Sequence, residues 1–231
     1  MSFNYQEFKE KLISEIDEDY REFVARGIIT DYPLLGVRIP KLRALAKEIV
    51  KTGGAKEFFK HEPGTFEEVT VRGLVVANLP YEEMISSLDE ALRFVDNWES
   101  CDVFSAELKR VIRPRKEEFL ESVVEKLIES SKEFYARAGL VILLTSYVEF
   151  DYLFYLFETV DSMREREEYY VKMATAWLVQ GIFVKFPEET FAYLEKSKLP
   201  KWTFNRAISK ITDSYRVNPE TKAKVKLLRR K

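Results

Sequence analysis

The sequence predicts an all-α protein built as a solenoid of stacked helical units, and three observations predict it. Apolar residues recur at three-four spacing along nearly the whole chain. Breakers are few, eight Gly and eight Pro in 231 residues, while charged residues reach 33%, a balance that favours helices. A short pattern also returns at an interval of roughly 35 to 40 residues, in the range of helical repeat arrays. No convincing alternating strand interrupts it.

Phe8, Leu12, Ile13 and Ile16 form one face of a first helix, and Leu42, Leu45, Ala46 and Ile49 the face of the next. Pro40 stands where that second helix would start and Gly53-Gly54 where it would stop. Further helices are expected at 65–79, 81–95, 101–111, 116–130, 133–146, 150–159, 166–184, 187–196, 201–213 and 218–230. Pro63, Pro80, Pro114, Pro187, Pro200 and Pro219 fall at their junctions. One domain over 1–231 is expected.

The repeat is visible in EVTVRGLVV (68–76), EFYARAGLVI (133–142) and EYYVKMATAWL (168–178). Each has Glu, then mostly apolar residues, then a base, then small and apolar residues. Steps of one period from these bases define a column: Arg38, Arg72, Asp102, Arg137, Lys172 and Arg206. Stacked units bring equivalent positions side by side, so these residues are expected in a row on a curved surface. Asp102 is then an acid in a column of bases. The plainer reading is that Glu68/Arg72, Glu133/Arg137 and Glu168/Lys172 are ordinary (i, i+4) surface pairs.

Composition excludes several chemistries. One Cys rules out a disulfide framework, and one His, His61, leaves a two-His metal site without a second ligand. His61 reads as a surface loop residue and Cys101 as a buried small hydrophobe. Gly53-Gly54 follows a helix, so it is a cap and not a phosphate loop. There is no sign of a metal or an organic cofactor. No apolar run is long enough to span a bilayer, and the N-terminus lacks a secretory h-region, so a soluble cytoplasmic protein is expected.

A net charge of −2 does not by itself point to nucleic acid. The charge is segregated, however. KRVIRPRK (109–116) has five bases in eight residues and KAKVKLLRRK (222–231) six in ten, while acids gather in EIDEDY and MREREEY. A basic face could hold phosphates; a solvated surface with a basic tail is the alternative. Trp98 lies one turn before Asp102, and Trp177 five residues after Lys172. Trp98, Asp102, Arg137 and Trp177 are therefore expected to converge from successive repeats. An acid among aromatic faces and beside an Arg suits a flat cationic ligand, although each Trp could simply be core.

At these residues the chain resembles the bacterial AlkD-like DNA alkylation repair family, the HEAT-like-repeat DNA glycosylases. The segments that carry the resemblance are LLGVRIPKLRALAKEI (34–49), DNWESCDVF (96–104), FYARAGLVILL (134–144), YYVKMATAWLV (169–179) and NRAISKITDSYRV (205–217). The resemblance implies a right-handed α-solenoid of tandem HEAT-like repeats, curved around a concave basic groove. It implies Asp102 as the catalytic carboxylate, Trp98 and Trp177 lining the lesion pocket, and Arg137 on the backbone near the lesion. Arg38, Lys41, Arg43, Lys109, Lys172 and Arg206 would be phosphate contacts.

The reaction so implied is hydrolysis of the N-glycosidic bond of cationic N3- or N7-alkylated purines in double-stranded DNA, without base flipping. The partner is duplex DNA, alkylated or structurally unusual, bound by a monomer with no membrane. In the glycosylases that define the family, a short amphipathic helix precedes the G-x-x-x-P element. Here Gly27, the β-branched Ile28-Ile29-Thr30 and Pro33 argue against a helix in ARGIITDYPLLG (25–36). The chain therefore resembles the branch that lacks this helix and binds DNA without efficient excision. A HEAT-like scaffold for a protein partner is the remaining alternative.

Overall fold

The computed structural model describes residues 3–231, all of them helical or in helix-to-helix connections. The chain divides into two compact units, Met1–Lys116 and Glu117–Lys231.

The first unit opens with α1 (Tyr5–Ser14), whose Asn4 cap accepts the N–H groups of Gln6 and Glu7. In α2 (Glu18–Ala25) the Asp17 side chain accepts the Tyr20 N–H at 2.9 Å. Then come α3 (Ile39–Lys51), α4 (Ala55–Phe58), α5 (Phe66–Asn78), α6 (Tyr81–Ser86), α7 (Leu88–Leu92), α8 (Trp98–Glu107) and α9 (Lys109–Ile112). Pro40 sits in the first turn of α3, and Gly53 follows its end at a φ of 70°. Thr65 and Asn97 cap α5 and α8.

The helices α3, α5 and α8 stack in chain order. α5 lies in the middle, and every residue from Phe66 to Ala77 is buried. A helix buried all round must be apolar all round, and VTVRGLVVA nearly is. The exception, Arg72, is 1% exposed. Its guanidinium donates to the carbonyls of Phe59 and His61 and to Glu90 at 2.6 Å, among the rings of Phe58, Phe59 and Phe94. Arg72 is thus a satisfied core ion and not a member of a surface row.

The second unit starts at Glu117, inside one helical run of α10 (Lys116–Phe119), a π-helical turn (Leu120–Val124) and α11 (Glu125–Glu129). It continues through α12 (Glu133–Ser146), α13 (Leu153–Ser162), α14 (Tyr169–Lys185), α15 (Pro187–Lys196), α16 (Lys201–Asp213) and α17 (Pro219–Lys226). Here α14 packs between α12 and α16. The members of the periodic column beyond Arg38 all lie on stacking helices: Arg72 and Asp102 on α5 and α8, and Arg137, Lys172 and Arg206 on α12, α14 and α16. The sequence period therefore marks the helices that carry the stack.

One expectation at the N-terminus is corrected. Ile13 is exposed and Ile16 falls beyond the end of α1, because Asp17 caps a new helix there. The stretch directly before Gly36-x-x-x-Pro40 is irregular, as expected. Residues 26–38 are not helical, as their β-branched run implies, but α2 ends at Ala25 immediately before them. The expectation of no helix within 25–36 therefore agrees with the structure beyond Ala25, and the short helix that lies upstream of that stretch is α2. Its residues, EDYREFVA, carry neither Gly nor Pro and have acids in the first turn.

Gly36 locks this helix to the element that follows. Its φ is +90°, its carbonyl accepts the Asp17 N–H at 3.1 Å, and an added Cβ would meet Arg21 Cβ at 2.5 Å.

Candidate nucleic-acid interface

In the first unit, α8 presents Trp98 and Asp102 one turn apart, Trp98 at 37% exposure and Asp102 half-buried. The Trp98 indole N–H donates to the carbonyl of Gly27 at 3.0 Å. The irregular stretch that supplies Gly27 is tied down along its length. Asp96 accepts the Thr30 hydroxyl at 2.9 Å and the Asp31 N–H at 2.6 Å. Buried Glu67, on α5, accepts the N–H groups of Leu35 at 3.0 Å, Gly36 at 2.7 Å and Val37 at 3.3 Å. Val24, Ile28 and Phe66 form an apolar knot beneath it.

Between α2, this stretch and α8 lies a cleft of about 550 Å³, walled by Tyr20, Phe23, Ile28, Trp98, Glu99 and Val103. The Glu99 carboxyl takes a hydrogen bond from Tyr20. Burial, then the neighbouring carboxylates of Glu67 and Asp102, raises Glu99 above the ordinary glutamate range. Asp102 and Glu99 thus form a pair of half-buried acids within one turn of an exposed indole. The sequence reading passed over Glu99. The available signal was its position three before Asp102, on the same helix face.

The bases expected on phosphates lie around α3 and α9. Arg38 and Lys41 are exposed and Arg43 is half-buried. Each has an acidic partner: Arg38 with Asp17 at 2.8 Å, Lys41 with Glu15 at 3.1 Å and Arg43 with Glu107 at 2.9 Å. Lys109 is exposed at the start of α9. Cys101 is buried, as expected. His61 is half-buried instead of a plain surface residue, because its ring stacks on Tyr5 at 3.8 Å.

In the second unit Arg137 is 5% exposed and donates to the Tyr170 carbonyl at 3.0 Å. Glu133, one turn earlier, accepts the Tyr170 N–H at 2.7 Å. This base is therefore held against the start of α14. Trp177 is half-buried, with Lys210 Nζ 5.9 Å from its ring centroid, beside a cleft of about 600 Å³ that Tyr215 and Arg216 also line. Lys172 pairs with Glu167 at 3.1 Å. Lys172 and Arg206 both approach the ring of Trp202, at 5.4 and 5.3 Å. Trp202 was not singled out from the sequence, although its neighbour Arg206 was.

Within a stack of helices, α8 carries the Trp98–Asp102 pair that the sequence resemblance links to DNA alkylation repair. The comparisons agree and fix the family. The model of the DNA alkylation repair enzyme family matches residues 8–211, and the chain belongs to that family. Among solved structures, a predicted DNA alkylation repair enzyme from Enterococcus faecalis is similar at a TM-score of 0.60 and 12% identity. The match covers 87% of this chain and 97% of that one. At that identity the likeness speaks for the all-α fold alone. No curated protein matches the sequence. Among the described residues no helix is long and apolar enough to cross a membrane.

Proposed function

We propose that the protein is a DNA glycosylase that hydrolyses the N-glycosidic bond of cationic N3- or N7-alkylated purines in duplex DNA, without flipping the base. The observation that carries the reading is the place of Asp102: a half-buried carboxyl on α8, one turn from an exposed indole whose N–H is already fixed by Gly27.

The chemistry asks for little more. An alkylated purine cation leaves readily, so no general acid has to protonate it. What remains is a positive charge developing on the sugar and a water to receive it. The Asp102 carboxylate stabilises that charge, and its oxygens orient the water. The Trp98 face contacts the electron-poor sugar and base, and Trp177 is assigned the same role. Arg137 is assigned to the strand near the lesion. Arg38, Lys41, Arg43, Lys109, Lys172 and Arg206 are assigned to phosphates, which position the duplex without reading its sequence. Four of these assigned contacts, at Arg38, Lys41, Arg43 and Lys172, require a base to exchange its acidic partner for a phosphate oxygen.

The test is single-turnover release of 7-methylguanine from a duplex, with duplex affinity measured on the same samples across salt concentrations. Wild-type release that Asp102→Asn abolishes, at unchanged duplex affinity, is the expected result. Salt-sensitive binding with no release would make the protein a DNA-recognition member of the family. Neither binding nor release would favour a protein scaffold.

A further inference from the structure

One surface of the second unit sets two exposed rings that the excision reading does not use, Trp202 and Tyr169, beside two bases that it assigns to phosphates, Lys172 and Arg206. Trp202 opens α16 and remains 38% exposed, with Tyr169 against it edge-to-face at 5.8 Å and itself 54% exposed. Lys172 and Arg206 flank the indole within cation–π range. A groove of about 460 Å³ runs beside it, lined by Lys201, Trp202, Asn205, Arg206 and Ser209, none of them acidic. Arg229 reaches the same groove from the C-terminal segment, donating to Ser209 Oγ at 2.7 Å.

The arrangement continues along the helix. Trp202, Arg206, Ser209 and Asp213 recur at three-four spacing, so they share one face of α16. This face spans about 16 Å at 1.5 Å per residue. At its far end a second aromatic group waits: Trp177 under Lys210, and Tyr215, 89% exposed with Arg216 5.7 Å from its ring centroid. Aromatic faces beside bases, here in two clefts at the ends of this face with Asp213 in the second, are what unpaired bases and their phosphates both require. Bases stack on the rings, cations take the backbone, and no sequence is read. In a paired duplex the base faces are covered by their neighbours, so exposed rings find only edges and sugars there.

We propose that the Trp202–Tyr169 surface is a stacking platform for unpaired nucleotides, so that the protein holds a single-stranded stretch of DNA as well as duplex. This rests on DNA being the partner, but not on excision.

The experiment compares binding of a fluorescein-labelled oligothymidine and of a blunt duplex of equal length, by anisotropy, for wild type, Trp202→Leu and Trp202→Phe. Trp202→Leu keeps apolar volume without a ring, and should weaken oligothymidine binding about tenfold, the loss of one base–aromatic stack. Duplex affinity should stay within about twofold, and Trp202→Phe should recover most of the loss. Unchanged oligothymidine binding by Trp202→Leu, or an equal loss on both ligands, overturns the platform. Duplex binding without oligothymidine binding by the wild type sinks the platform and leaves the proposed function standing. Absence of both sinks the two together. Should Trp202→Leu fail to fold by circular dichroism, photocrosslinking of a bromodeoxyuridine strand to the wild type decides. Adducts on Trp202 or Tyr169 support the platform, and adducts confined elsewhere overturn it.

Discussion

The indole N–H of Trp98 donates to the carbonyl of Gly27, seventy-one residues earlier in the chain, at 3.0 Å. The bond fixes the ring one turn before Asp102 on α8, and it fixes the irregular segment between α2 and α3. One contact therefore couples the aromatic wall of the cleft to the loop that closes it. Trp98→Phe keeps an aromatic face and removes the bond. We expect a loss of about 1 kcal/mol in folding stability, read by urea denaturation. Single-turnover excision should fall by about tenfold while duplex affinity changes little, because the mobile ring is lost to the transition state more than to binding.

Glu67 holds the rest of that loop. Its carboxylate accepts the N–H groups of Leu35, Gly36 and Val37, two of them on buried residues. Glu67→Ala leaves these donors without an acceptor in a place that water does not reach. Each buried orphan, at Gly36 and Val37, costs about 1 kcal/mol or more, so a destabilisation of about 2 kcal/mol is expected. Hydrogen exchange at residues 35–37 should speed up far more than exchange in the second unit, which checks that the effect is local.

Glu68, the adjacent residue, sets an acid limit on stability. Burial alone would raise its carboxyl, but hydrogen bonds from Tyr5 and Lys9 outweigh burial and hold it below the ordinary glutamate range. A carboxyl whose folded value is depressed binds fewer protons folded than unfolded. Its contribution is complete above the unfolded value and is lost as pH falls through the folded one. Tyr5→Phe removes one of these partners. The acid unfolding midpoint should therefore shift to higher pH, while stability at neutral pH drops by about 1 kcal/mol. An unshifted midpoint, measured by circular dichroism against pH, would show that Glu68 does not govern the transition.

Much of the helical pattern was legible because local signals agreed. The helices at 133–146, 187–196 and 201–213 lie where apolar spacing and the prolines at 187 and 200 put them. What escaped was decided by packing. Arg72 occupies the same register as Arg137 and Lys172, and nothing in VTVRGLVVA tells that Phe58, Phe59 and Phe94 close over it. The start of α2 turned on one cap at Asp17, which a reading by apolar periodicity cannot weigh. In the candidate site, spacing singled out Trp98 and Asp102, and the roles proposed for them came from the family resemblance. Glu99 was missed because an acid in the first turn of a helix is so commonly an ordinary dipole partner.

That acid should be visible in the pH profile of the reaction. Glu99 sits three residues before Asp102 on α8, and burial followed by the charges of Glu67 and Asp102 raises its carboxyl. Over a window centred on this raised value, above the ordinary glutamate range, Glu99 passes from neutral to anionic as pH rises. The added negative charge favours the oxocarbenium-like sugar that Asp102 is proposed to stabilise. Single-turnover excision by the wild type should therefore climb severalfold across that window. Glu99→Gln keeps the size and hydrogen-bonding capacity of the side chain but cannot ionise. Its rate should be flat over the same range and match the low-pH wild-type rate. A wild-type profile that stays flat, or a mutant profile that still climbs, would remove Glu99 from the electrostatics of the site.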